Sequence, residues 1–192
     1  DFGCHILDPV VTALGIDRAP TQFSADHTGM NDEVWAAQNT VNYVFPGTEM
    51  TESDQLEITW YDGGRLPSIS GSHVPADTAL PRSGSLFIGE KGSVVLPHVG
   101  KMRVYPEVDF QMVPGENHYH GWLDGILNGT QPSDGFAYGG PLTEAVLLGN
   151  IAARYRGETL HWDADSMKIT SHADANQWLR REYREGWEIT SV

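Results

Sequence analysis

The hydrophobic residues of this chain change period part-way along it, and that change limits the folds open to it. Residues 55–61, Gln-Leu-Glu-Ile-Thr-Trp-Tyr, alternate apolar and polar side chains, the pattern of a strand with one wet face. Val41, Tyr43 and Phe45 alternate in the same way within 34–46, and residues 20–28 also have extended character. Residues 85–96 read as a hairpin turning at Gly89-Glu90-Lys91-Gly92, and 101–105 add a further strand. From 117 the period lengthens. Tyr119, Trp122, Leu123, Ile126 and Leu127 fall at helical spacing, closed by Asn128-Gly129. A second helix is expected over 141–155, with Pro141 in its first turn, a cap near Gly140 or Thr143, and Leu142, Ala145, Val146, Leu148, Gly149 and Ala152 on its apolar face.

Four further segments complete the pattern. Residues 4–14 carry Leu7, Val10, Val11 and Leu14 at helical spacing, with Pro9 near the first turn and Gly15 just past the end. Short strands are expected at 159–163 and 167–169, and a polar helix at 173–185 anchored by Trp178, Leu179 and Tyr183. Strands followed by helices, without repeated alternation, argue an α+β fold: a large open, mainly antiparallel sheet with helices packed on one face. With 192 residues the chain is expected to form one domain, 1–192. Its Gly-, Pro- and Ser-rich stretch 63–84 is a long loop or insertion, read as mobile.

Composition excludes several functions. Lys plus Arg is 12 and Asp plus Glu is 26, a net charge of −14, so a nucleic acid is not the expected partner. No run of 18 apolar residues suggests a membrane span. Cys4 is the sole cysteine, which rules out an intrachain disulfide and favours a small buried side chain. Neither G-x-G-x-x-G nor a P-loop pattern occurs, so the usual dinucleotide site is not expected in this chain.

Three constellations could carry chemistry. Asp1 and His5 stand four residues apart, close enough to meet across a helical turn. A carboxylate beside an imidazole orients the ring and favours its charged form, which suits a general base or acid near neutral pH. A surface pair at a helix start, with Asp8 as a cap or first-turn acid, explains the same residues. His118 and His120 lack a third metal ligand at suitable spacing, and the plain reading places one at the helix start and the other on its outer face. Trp60-Tyr61-Asp62-Gly63-Gly64-Arg65 sets aromatics beside a polar turn, as a sugar site would, and equally as a strand end would. Glu144 reads as a first-turn helix acid.

Asp-Phe-Gly-Cys-His-Ile-Leu-Asp-Pro (1–9) resembles the Asp-x-x-x-His segment that opens the C-terminal domain of the Gfo/Idh/MocA oxidoreductases, the glucose–fructose oxidoreductase and inositol dehydrogenase relatives. Ile-Thr-Trp-Tyr-Asp-Gly-Gly (58–64), Gly-Ser-Leu-Phe-Ile-Gly-Glu-Lys-Gly (84–92) and Pro-Leu-Thr-Glu-Ala-Val-Leu-Leu-Gly-Asn-Ile-Ala (141–152) resemble one bacterial branch of that family. So do Trp-Asp-Ala-Asp (162–165) and the ending 176–187. The segments occur in the family's order along nearly the whole chain.

The resemblance implies a C-terminal substrate and oligomerisation domain whose NAD(P)-binding Rossmann domain, with its glycine-rich loop and Glu-Lys-Pro lysine, lies upstream. It implies hydride transfer between a sugar or polyol and nicotinamide, with His5 as the proton acceptor and Asp1 orienting it. Tyr61, Asp62, Arg65 and His118 are the candidate substrate-binding residues, and Asp8 is structural. No NAD or NADP is expected on this chain alone, nor any metal. A homodimer or tetramer through the sheet face is implied. The cytoplasm is the default location, with periplasmic export by an upstream signal as the alternative. An NAD-dependent glycoside hydrolase of the same superfamily and a non-catalytic sugar-binding or assembly domain are the competing readings.

Overall fold

A computed structural model describes residues 2–115 and 117–188. Six antiparallel pairings join its eight strands. The order along the chain is α1 (Gly3–Leu14), β1 (Gln22–His27), β2 (Asn39–Pro46), β3 (Gln55–Tyr61), β4 (Gly84–Ile88), β5 (Ser93–Pro97) and β6 (Arg103–Tyr105). Then follow α2 (His118–Asn128), α3 (Phe136–Arg154), β7 (Thr159–Asp163), β8 (Lys168–Ile169) and a short 3-10 helix, Ala173–Trp178. The fold is α+β. The strands divide between two sheets instead of forming one large one: β3-β2-β1-β7-β8, and a separate β4-β5-β6.

The period-two pattern sorts the larger sheet into two faces. Ile58, Tyr43, Phe23 and Leu160 stand opposite one another across four strands. Tyr43, Phe23 and Leu160 in that row are almost fully buried. Ala25, Val41, Phe45 and Trp162 extend the same apolar face. Helix α3 covers it with Leu142, Ala145, Leu148 and Ala152, and α1 adds Leu7 and Val11 to the same core. Burying Phe23 alone contributes about 1.5–3 kcal/mol of transfer free energy. The other face carries Ser24, Asp26, Thr40, Asn42, Glu57, Thr59 and His161, with Thr59 donating to Asn42 Oδ1 at 3.0 Å. That face is polar, as an antiparallel sheet with one solvated side should be.

Two glycines set how closely the helices approach. A Cβ on Gly149 would stand 2.0 Å from Tyr43 Oη, so α3 can cross β2 at this depth only with glycine there. A Cβ on Gly3 would stand 2.9 Å from Val146 Cγ1, which draws the start of α1 onto α3. The two helices are also tied by Tyr138, whose hydroxyl donates to the Asp8 carboxylate and lies 2.8 Å from Thr12 Oγ1. Partial burial first, and then the Asp8 bond, push the Tyr138 phenol above its ordinary range. Asp8 is thus an inter-helix tie.

Several expectations need correcting. Pro9 is the seventh residue of α1 rather than part of its first turn, because the helix already begins at Gly3. Gly15 closes that helix at φ 63°, as expected, with the Ile16 N–H reaching Val11 O at 3.0 Å. Helix α3 starts at Phe136, so Pro141 lies inside it, neither Gly140 nor Thr143 caps it, and Glu144 is in its interior. The Glu144 carboxylate accepts the Trp162 indole N–H, a tie between α3 and β7.

The helix expected over 173–185 is a six-residue 3-10 turn. The Asn176 side chain bonds both N and O of Ile169 and the carbonyl of Ala173, competing with regular helix there. Trp178 and Tyr183 remain 44% and 46% exposed, while Leu179 packs on the core.

Residues 62–83 have no regular structure but are tethered to the fold. The His73 N–H donates to buried Ser93 Oγ at 3.1 Å, Val74 is 6% exposed, and Arg103 reaches Ala79 O. Cys4 is partly buried against the core. Among the described residues no helix is long and apolar enough to cross a membrane.

Candidate functional site

His5 lies in the first turn and a half of α1, exposed, where Ile6 and Leu7 beside it face the core. Its ring is 5.6 Å from that of Phe2 and 6.1 Å from that of His98. His98 follows β5, and its backbone N–H donates to Ser83 O at 2.9 Å. Phe2 stands edge-on to His98 at 4.8 Å, so the three rings form one cluster. The smaller sheet is held against α1 at this end by Ser85, whose hydroxyl donates to Ile6 O at 3.2 Å. Asp1, the expected partner of His5, lies outside the described residues.

The turn after β3 is built differently. Asp62 accepts the Asn39 N–H at 2.7 Å, the Asn39 side-chain amide at 3.0 and 3.1 Å, and the Trp60 indole N–H at 3.2 Å. The carboxylate therefore joins the ends of β2 and β3. A Cβ on Gly63 would meet Ala37 O at 2.0 Å, and its φ of +64° also favours glycine. Arg65 crosses to the polar face of the sheet, donating to Thr40 Oγ1 at 2.8 Å, with Asp26 Oδ2 at 3.6 Å. Arg156 Nε donates to the same Asp26 at 2.9 Å. The Arg156 bond is the main reason the Asp26 carboxyl lies below its ordinary value. Tyr61 is half-buried at the end of β3.

These residues do not assemble into one site with His5. Arg65 is engaged on the sheet face opposite the one that α1 and α3 cover, and Asp62 is consumed by strand-end bonds. His118 opens α2, stacked 4.1 Å from the Tyr119 ring. Asn117 caps that helix, accepting the Tyr119 and His120 N–H groups. Among the described residues no group of three or more His, Cys, Asp or Glu side chains could hold a metal ion.

The structure adds residues that sequence reasoning did not single out. His98, just after β5, joins His5 only through the packing of the smaller sheet against α1, which β4 makes, a contact with no sequence signal. Buried His27 accepts the Gly29 N–H at Nδ1, 3.0 Å away, and its Nε2 donates to Ala153 O at 2.9 Å. It pins the loop after β1 to the end of α3. Arg154, at that same end, lies 3.8 Å from the centre of the Trp178 ring and 5.3 Å from that of Trp35.

No protein-family model matches this chain, and no curated protein matches it.

Proposed function

We propose that this chain is the substrate-side domain of an NAD(P)-dependent sugar or polyol oxidoreductase, with His5 accepting the substrate hydroxyl proton. The observation that carries the reading is the exposed imidazole early in α1, held beside Phe2 and His98 at the junction of α1 and the smaller sheet. The ordered segments that resemble the Gfo/Idh/MocA family support it. The chain's own residues do not fit a nicotinamide dinucleotide. It has no G-x-G-x-x-G turn, and all strand pairings among the described residues are antiparallel, whereas the usual dinucleotide crevice needs a parallel sheet. In this proposal a separate nucleotide-binding domain brings the cofactor.

What this chain supplies is then one proton step. A sugar or polyol hydroxyl placed against His5 loses its proton to the imidazole as its carbon is oxidised. Positioned acid–base groups of this kind contribute about 10²–10⁴-fold to rate. Phe2 and His98 limit where the ring can turn. Asp62 and Arg65 act in this reading as parts of the fold, since their polar atoms are already engaged.

The test uses the full-length protein with NAD or NADP and a panel of polyols. Net formation of reduced cofactor, falling about 10²–10⁴-fold in His5→Ala with folding intact, is expected. Unchanged turnover in His5→Ala would sink the assignment, and sugar release without net reduced cofactor would assign the hydrolase instead. Calorimetry on this 192-residue chain should detect no NAD binding.

A further inference from the structure

We infer that the pocket between the loop after β1 and the end of α3 binds a small sugar acid, through the Arg154 guanidinium. This site is separate from His5 and does not depend on the function proposed above. The pocket holds about 310 Å³ and is lined by Met30, Asn31, Asp32, Arg154, Tyr155, Gln177 and Trp178. That volume reaches the lower end of small-molecule sites, about 300 Å³.

Arg154 is the reason for an acid. In a chain with 26 carboxylate residues and 12 Lys and Arg, an arginine in a polar pocket has abundant candidate partners. Among the described residues Arg154 nevertheless forms no ion pair, and its guanidinium is instead flanked by the Trp178 and Trp35 rings. Stacking on an aromatic face fixes the plane of a guanidinium while leaving its edge donors available. A planar fork held that way matches a carboxylate bidentately.

The other lining groups are the reason for a sugar. The nearby acid Asp174 already accepts the Tyr155 hydroxyl at 2.9 Å, and its backbone carbonyl takes the Gln177 amide N–H. This leaves the Gln177 carbonyl as an acceptor. Asn31 uses its side-chain oxygen on the Glu33 and Val34 N–H groups, which leaves its amide N–H groups as donors. Asp32 adds acceptor oxygens. Donors and acceptors spaced around one guanidinium suit hydroxyls flanking a carboxylate. Acetate offers only the carboxylate, and a neutral hexose only the hydroxyls.

D-Glucuronate, D-glucose and acetate titrated into the 192-residue chain by calorimetry provide the test. Saturable glucuronate binding is expected, with glucose and acetate each at least about tenfold weaker, a difference of about 1.4 kcal/mol. Arg154→Gln should lose at least about tenfold in glucuronate affinity. Arg154→Lys keeps the charge but not the fork and should lose a similar factor, with an unchanged thermal melt. It decides the matter if Arg154→Gln does not fold. Absence of glucuronate binding, equal binding of glucose, or glucuronate affinity that Arg154→Lys leaves intact would overturn the assignment.

Discussion

In α3, Leu142, Ala145, Leu148 and Ala152 recur at helical spacing and are buried almost completely against the larger sheet. In α2, Tyr119, Trp122, Leu123, Ile126 and Leu127 recur at the same kind of spacing and are 46–72% exposed. Both helices form, and both patterns describe a face. The difference lies in what stands opposite. Helix α3 meets an apolar row spanning four strands, whereas within α2 only Gly125 is buried. Its ends are instead satisfied by the Asn117 side chain and by Gly129 at φ 66°. Helical periodicity thus encodes a stripe, and stability comes only when another element removes that stripe from water.

The contrast can be broken most forcefully from the buried side. Phe23→Ala should cost about 3–5 kcal/mol, measured by denaturant unfolding, because the ring is 1% exposed at the centre of the row beneath α3. A loss below about 1 kcal/mol would mean that α3 does not depend on this face. Glu144→Ala, which leaves the Trp162 indole N–H without its partner, should cost about 1–3 kcal/mol in the same experiment.

A pH titration sharpens the picture of the contact under α3. Burial raises the Tyr43 phenol well above its ordinary value of 10.0. The folded state therefore holds that proton more tightly than the unfolded chain. The stability this contributes is complete below pH 10 and drains as pH rises from there toward the folded value, at about 1.4 kcal/mol per pH unit. Tyr43→Phe should make that alkaline slope shallower, leaving the share that the raised Tyr138 phenol contributes. A slope unchanged in the variant would place its origin elsewhere. The smallest effect is expected in α2. Trp122→Ser should change the unfolding free energy of this chain by no more than about 0.5 kcal/mol, since the ring is 61% exposed. A larger loss would show that α2 packs in solution.

Elements whose signals are local could be read from the residues. Strand β3 occupies 55–61 as the alternation indicates, and the hairpin turns at Gly89–Gly92, where the Gly89 N–H reaches Gly92 O at 2.9 Å. Helix α1 stops at Gly15 for a reason visible in the glycine itself. Elements set by distant partners could not. The start of α3 at Phe136 brings Tyr138 to Asp8 and Thr12 on another helix, and nothing near Pro141 announces that bond. The division of the strands into two sheets depends on pairings that alternation cannot assign.

The candidate site was legible only in part. His5 stood out by its residue type and position, but His98 reaches it through tertiary packing. Asp62 and Arg65 look like ligand groups in sequence because their bonds to Asn39 and Thr40 cross between strands. The site at Arg154 draws Trp35 from the loop before β2 and Trp178 from the 3-10 turn, so no sequence window contains it.

Gly3 bears on how this chain can drift as its sequence changes. Its missing side chain lets the first turn of α1 rest on Val146, two residues before His5. Alanine at position 3 would put its methyl 2.9 Å from the Val146 Cγ1. The substitution is therefore tolerable when Val146 shrinks with it, or when the helix start tips away and carries the imidazole along. Two positions far apart in sequence are thereby bound to change together, with the aim of His5 as the quantity their joint substitution would preserve.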